Sequence, residues 1–133
     1  ASQELVIQTI RKSLHFASYA PICFTSALSG IGMNNLIGAA RATYDERQKH
    51  HPPGKLYYAV REALASHVPP SRKGKPLVIK GVVQVDVNPP TFLFTVNNPA
   101  LVHFSYQRYL ENRLRSSFGY THTHIRLLFK RRA

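Results

Sequence analysis

The 133 residues suffice for one ordinary domain, or for a small domain joined to part of another. Lysine and arginine number 18 against 6 acidic residues, and the resulting +12 and pI near 10.4 point to a polyanionic partner, nucleic acid first. The single cysteine, Cys23, excludes an intrachain disulfide and fits a reducing compartment, while no apolar run approaches the roughly 20 residues of a membrane-crossing helix. A soluble chain without a membrane partner is expected. The charge is uneven, +3 over residues 1–66 and +9 over residues 67–133.

From Ser2 to about Phe16, Leu5, Val6, Ile10 and Leu14 recur at helical spacing and predict an amphipathic helix. After Pro21, Ile22–Thr25 reads as a short strand that ends in a Ser-Ala-Leu-Ser-Gly turn. A second helix follows, with Ile31, Leu36, Ile37 and Ala40 apolar and Tyr44 near its end. Helix, strand, turn and helix form the closing portion of an α/β domain, and one parallel-type strand with two helices cannot bury itself alone. Residues 1–45 are therefore expected to be the end of a larger unit. Asp45–Pro53 has the composition of a linker, placed at 46–52, and 53–133 is expected to be a second domain.

In that second part, Leu56, Val60, Ala63, Leu64 and His67 mark a helix stopped by Val68-Pro69-Pro70. Leu77, Ile79, Val83, Val85 and Val87 then alternate with Lys80, Gln84, Asp86 and Asn88, predicting a half-buried strand with the valines inward. Asn88-Pro89-Pro90 reverses the chain into Thr91–Val96, where Phe92, Phe94 and Val96 share a face. Asn97-Asn98-Pro99 opens a helical region to about Ser117, with room for a break near His103; Val102, Tyr106, Leu110 and Leu114 stack along it. Ile125–Phe129 closes as a third strand. The order helix, strand, strand, helix, strand predicts an α+β unit, a three-stranded sheet backed by helices.

Several clusters are candidates for phosphate contact. Arg72-Lys73-Gly74-Lys75 lies in a loop flanked by proline and serine, Lys80 follows on the strand, and Arg126, Lys130, Arg131 and Arg132 line the last strand and its end. Such clusters can dock phosphates or can simply be solvated. Arg108, Glu111, Asn112 and Arg115 share one helical face, where Glu111 and Arg115 are spaced for an intrahelical pair. One glutamate cannot neutralise two guanidiniums, so RNA contact by Arg108 or Arg115 stands beside a salt-bridge ladder. Tyr106 and Tyr109 read as core, Tyr57 and Tyr58 as the exposed aromatics. His50-His51 and His122-Thr123-His124 lack the cysteine or carboxylate company of a metal site, and no metal is expected. A hydrolase using Cys23 with a histidine is a distant rival, since Cys23 falls in the expected buried strand.

Two stretches carry a resemblance. Pro89-Pro90-Thr91-Phe92-Leu93-Phe94-Thr95-Val96-Asn97-Asn98 followed by Ser105-Tyr106-Gln107-Arg108-Tyr109-Leu110-Glu111-Asn112-Arg113-Leu114-Arg115 resembles the pattern PPTF-x-x-F-x-N, then SY-x-RYLEN-x-LR. That pattern belongs to the C-terminal KH-like domain of the Der/EngA family of ribosome-assembly GTPases. Pro21–Gly30 resembles the end of that family's second GTPase domain and Ile125–Arg132 its closing strand, so the likeness runs from about Ala20 to Arg132.

The resemblance implies a type II KH module preceded by the tail of a GTPase domain. It implies a role in large ribosomal subunit assembly, contact with ribosomal RNA, GTPase domains of the same protein as partners, and GTP and Mg²⁺ as cofactors of the full-length family. Ser26, Ala27 and Leu28 resemble the SAx loop, whose backbone N–H contacts the guanine base. The chain carries no G-x-x-x-x-G-K-[ST], D-x-x-G or N-K-x-D, so by itself it is not expected to bind or hydrolyse GTP. Its glycines stand at 30, 32, 38, 54, 74, 81 and 119, no two of them three apart, so the GXXG nucleotide clamp of ordinary KH domains is lacking, as it is in the family. The chain departs from the family at His122-Thr123-His124-Ile125, where Gly-Thr-Pro-Ile is usual. It departs again at Pro53-Gly54-Lys55-Leu56-Tyr57 and at Gly81. These departures lean toward an organellar, mitochondrial homologue, with the bacterial cytoplasm or a plastid as alternatives.

Overall fold

The computed structural model describes residues 2–71 and 73–132. Its helices are α1 (Gln3–Ser13), α2 (Met33–Arg47), α3 (Pro53–Ser66) and α4 (Phe104–Phe118), and its strands are β1 (Ile79–Asp86), β2 (Thr91–Val96) and β3 (Arg126–Arg131). Short 3-10 turns occupy His15–Ala17 and Pro99–Leu101.

β2 is the central strand, antiparallel to β1 and parallel to β3. A parallel neighbour cannot be reached by a hairpin, so the chain crosses over through α4 before returning as β3. α3 and α4 cover one face of the sheet. Leu56, Val60 and Ala63 of α3 and Tyr106, Leu110 and Leu114 of α4 meet Val82, Phe92, Phe94, Val96 and Leu127 in a single core. Two tyrosine hydroxyls tie the helices together: Tyr106 donates to the His67 carbonyl and Tyr109 to that of Ala63, each at 2.7 Å. Both rings serve the core, as expected. α3 starts on Pro53, whose missing N–H costs nothing there, and α4 stops at Gly119, a left-handed residue with φ 71°.

The architecture is the expected α+β arrangement, with corrections to individual elements. The expected inward face of β1 is reversed: Val82 and Gln84 are buried, whereas Val83 and Val85 face solvent. The cause is a register shift between Ile79 and Gly81, which pair with the adjacent Val96 and Thr95. One extra residue in a ladder of period two moves every later side chain to the opposite face.

The strand expected at Ile22–Thr25 is not part of any sheet. A strand needs a partner ladder, and among the described residues none adjoins it. α1 buries no side chain and α2 buries only Glu46, leaving Leu5, Leu36 and Ile37 exposed. The expected linker at 46–52 begins inside α2, which runs on through Arg47. Glu46 is 6% exposed and so is no solvated linker residue.

Candidate nucleic-acid interface and the joint beside it

Register gathers the cations that sequence scatters. Ile79 pairs with Val96 and Val96 with Arg131, so the start of β1 and the end of β3 lie at the same end of the sheet. Lys80, Lys130, Arg131 and Arg132 meet there, all exposed, and the loop carrying Lys73 and Lys75 leads into β1 at that end. Lys73 (φ 51°) and Gly74 (φ 73°) are both left-handed and form a tight turn. None of these lysines or arginines takes part in an ion pair among the described residues. Arg72 lies outside the described residues. Arg126 pairs across from Thr91, five residues from Arg131 and so roughly 17 Å along the strand from the cluster. It does not join the group.

The two helical arginines separate. Arg108 is exposed, with its guanidinium 5.9 Å from the Phe104 ring. Arg115, expected as a possible RNA contact, is instead a structural residue with a side chain only 13% exposed. Its Nη1 donates to the carbonyls of Thr123 (2.7 Å) and Tyr120 (3.3 Å), its Nε pairs with Glu111 at 3.4 Å, and the Tyr19 ring covers it at 4.4 Å. The loop after Gly119 folds back over α4, and that return encloses a side chain which helical spacing alone leaves outside.

Ser26, Ala27 and Leu28 form a compact loop. The Ser26 N–H donates to the Ile31 carbonyl (2.9 Å), the Ser26 carbonyl accepts from Gly30 (2.8 Å), and its hydroxyl accepts from the Ser29 N–H (3.3 Å). Gly32 closes the loop at φ 83°, where any Cβ would run into the Phe24 carbonyl. The N–H groups of Ala27 and Leu28 make no hydrogen bond among the described residues, and Leu28 is fully exposed.

A joint that the sequence reading missed connects α2 to the sheet domain. One oxygen of Glu46 accepts from the backbone N–H groups of His122 (2.8 Å) and Thr123 (3.2 Å). The other lies 2.9 Å from both the Thr121 hydroxyl and His122 Nδ1. Burial pushes the Glu46 carboxyl up, but these bonds together outweigh it and hold the group below its usual range. Arg47 adds bonds to the Asn88 Oδ1 (2.6 Å) and the Thr123 hydroxyl (3.3 Å), and its carbonyl accepts from the Asn88 N–H. The following residues are held by buried Gln84, which accepts from the His51 N–H (2.7 Å) and donates to the Lys49 carbonyl (2.8 Å). A charged stretch rich in histidine and proline gives no sequence signal for such anchoring.

His51 completes the joint, with Nε2 2.8 Å from the Tyr120 hydroxyl and its ring 4.2 Å from Phe118. Burial pushes the Tyr120 hydroxyl up to about 12, so it stays protonated and can donate to a neutral imidazole. Burial first, then the charges of Lys49, His50 and Lys55, lowers the His51 pKa below its ordinary 6.5. With the folded value below the unfolded one, the unfolded chain binds more protons in that window. Stability contributed by neutral His51 is therefore present above pH 6.5 and is lost as pH falls through the folded value. We expect urea midpoints to drop between pH 7 and pH 5.5, and His51→Gln to flatten part of that drop. His124, whose pKa burial also lowers, acts in the same direction. Equal pH dependence in wild type and variant would contradict the assignment.

Residues 46–130 match the family model described as the KH-domain-like C-terminal domain of EngA bacterial GTPase enzymes. The chain belongs to this family. The match begins at Glu46, so the joint's carboxylate lies within the matched residues. Similar curated proteins include the GTPase Der of Thermomicrobium roseum, 43% identical over 98% of this chain, and that of Halothermothrix orenii, 45% identical over 94%. The GTPase Der of Moorella thermoacetica is 44% identical over 93% of the chain. The chain spans about 28% of the length of each of these relatives. All three are bacterial, so the lean toward a mitochondrial homologue finds no support among them. The KH-like domain's helices include none long and apolar enough to cross a membrane, among the described residues.

Proposed function

We propose that this chain is the RNA-binding C-terminal part of a Der/EngA-like GTPase acting in large ribosomal subunit assembly, and that it docks on ribosomal RNA through the cationic end of its sheet. The observation that carries this reading is the convergence of Lys80, Lys130, Arg131 and Arg132, exposed and without acidic partners, beside the loop of Lys73 and Lys75. Each cation set against a phosphate releases a condensed counterion, which gives affinity with steep salt dependence and little base readout. The absent GXXG loop agrees with recognition of charge and shape rather than of sequence.

Residues 1–45 are read as the tail of a GTPase domain and 53–133 as the KH-like domain, with the short connection at 46–52 anchored at its start by Glu46. The uncovered apolar side chains of α1 and α2 and the unladdered segment at Ile22–Thr25 support this division. Ser26, Ala27 and Leu28 are read as the guanine-facing SAx loop of the complete protein, which would bind GTP and Mg²⁺ through motifs outside this chain. The bacterial relatives favour the bacterial cytoplasm as its compartment.

A second reading, a regulatory module packed on a GTPase domain, is favoured by one feature. Val83, Leu93 and Leu128 form a row across the open face of the sheet, with Val83 and Leu128 exposed. A GTPase domain seated there would share the platform whose other end the Glu46 joint fixes.

Titration of a ribosomal RNA fragment at several salt concentrations tests the docking reading. Lys80→Gln, Lys130→Gln and Arg131→Gln should each weaken binding similarly across RNA sequences and make the log–log salt slope shallower by about 0.7–1. Their urea midpoints should stay near wild type, because surface substitutions change stability by about 0.5 kcal/mol or less. Unchanged slopes in all three would overturn RNA docking at this end and leave the protein-interaction reading in first place.

A further inference from the structure

We propose that the cleft between the 3-10 turn at His15–Ala17 and α4 is a binding site for a nucleotide unit, a planar base carrying its phosphate. The cleft lies on the helical side of the domain, so this site is separate from the sheet docking proposed above and does not rest on it. Its volume of about 680 Å³ falls within the roughly 300–1,000 Å³ of small-molecule sites.

Aromatic rings line both walls, and the cations come from α4. Phe16 comes from the 3-10 turn and Phe104 from the first turn of α4, 71% and 72% exposed. Both rings are exposed on the cleft, and exposed rings beside cations can serve as stacking platforms for any base. Arg108 stands beside Phe104 without an ion pair, and the amides of Gln107 and Asn112 line the same wall with both donors and acceptors. Glu111 is engaged with Arg115, so the wall carries two guanidiniums against one carboxylate. Arg115 Nη2 is also the one buried side-chain nitrogen or oxygen without a hydrogen-bond partner among the described residues. An anionic occupant balances the excess positive charge of that wall. An acidic peptide would use the cations but would leave the paired rings without purpose, whereas a base and its phosphate use both.

The test is fluorescence anisotropy of the full chain with a labelled six-residue oligouridylate, competed by uridine monophosphate, inorganic phosphate or hexaglutamate. The double variant Phe16→Ser with Phe104→Ser should lose fivefold or more in affinity, the loss expected for removing base stacking worth about 1 kcal/mol or more. Its urea midpoint should not move, since both rings are exposed. Arg108→Gln should weaken binding and reduce its salt dependence. Competition by uridine monophosphate would identify a free nucleotide as occupant, and binding of the oligonucleotide alone would identify an unpaired nucleotide of RNA; either upholds the site. Undiminished affinity in the double variant overturns it, as does competition by phosphate or hexaglutamate equal to that by uridine monophosphate. If Lys130→Gln with Arg131→Gln weakens oligonucleotide binding while the double phenylalanine variant does not, the cleft fails and the docking reading stands.

Discussion

Replacing Phe92 by alanine is expected to lower stability by about 3–5 kcal/mol, the range for truncating a fully buried phenylalanine. The ring is wholly inaccessible, on the central strand, between Gln84 of β1 and Leu127 of β3, with the Tyr120 ring edge-on at 6.1 Å. Its surroundings cannot collapse to fill the void, because backbone ladders fix the strands on both sides and Tyr120 is held by its bond to His51. Domains of this size are stable by only about 5–15 kcal/mol. The variant should therefore unfold at a much lower urea midpoint, and the loss should spread to the joint through Gln84 and Tyr120. A cost below about 1 kcal/mol, read from equilibrium urea unfolding, would mean that β2 is not the centre of the core.

Glu46→Ala is expected to cost about 2–4 kcal/mol, since it strands the backbone N–H groups of His122 and Thr123 and the Thr121 hydroxyl without their acceptor. Glu46→Gln should cost far less. Its carbonyl can take both backbone bonds, while its amide nitrogen faces Thr121 and His122 Nδ1, which accept once the hydroxyl rotates and the imidazole carries its proton on Nε2. The pH dependence has a definite sign. The folded Glu46 carboxyl titrates below its ordinary 4.5, so its contribution is complete above that value and is lost as pH falls through the folded one. The glutamine variant should lack this acid phase. Equal destabilisation by alanine and glutamine, or by neither, would show that the joint is not held by hydrogen bonds to this side chain.

Residues that obey a local period were legible in the sequence. Leu56, Val60 and Ala63 on α3, Tyr106, Leu110 and Leu114 on α4, and Phe92, Phe94 and Val96 on β2 all lie where spacing alone puts them. The cations were legible as residue types, and their gathering at one end followed from strand register. Three features depended on long-range contacts that no local pattern carries. The shift near Lys80 reversed β1, because a bulge is set by the partner strand. Glu46, inside a charged stretch, became an anchor because the 121–123 turn supplies a hydroxyl and two N–H groups from 75 to 77 residues away. Arg115 was enclosed by the return of the chain after Gly119 and by Tyr19 from the N-terminal segment. In the last two cases a polar residue with an ordinary surface appearance was captured by backbone groups of the 120–123 segment.

The most direct measurement of the central claim is amide-resolved NMR of the chain titrated with a ribosomal RNA fragment. The account predicts that the largest shifts, reversed by added salt, map to Lys73–Lys75, Lys80 and Lys130–Arg132 at one end of the sheet. Arg126 at the far end of β3 and the enclosed Arg115 should move little. Shifts confined to the open face around Val83 and Leu128, or none at the cationic end while RNA binds, would contradict it.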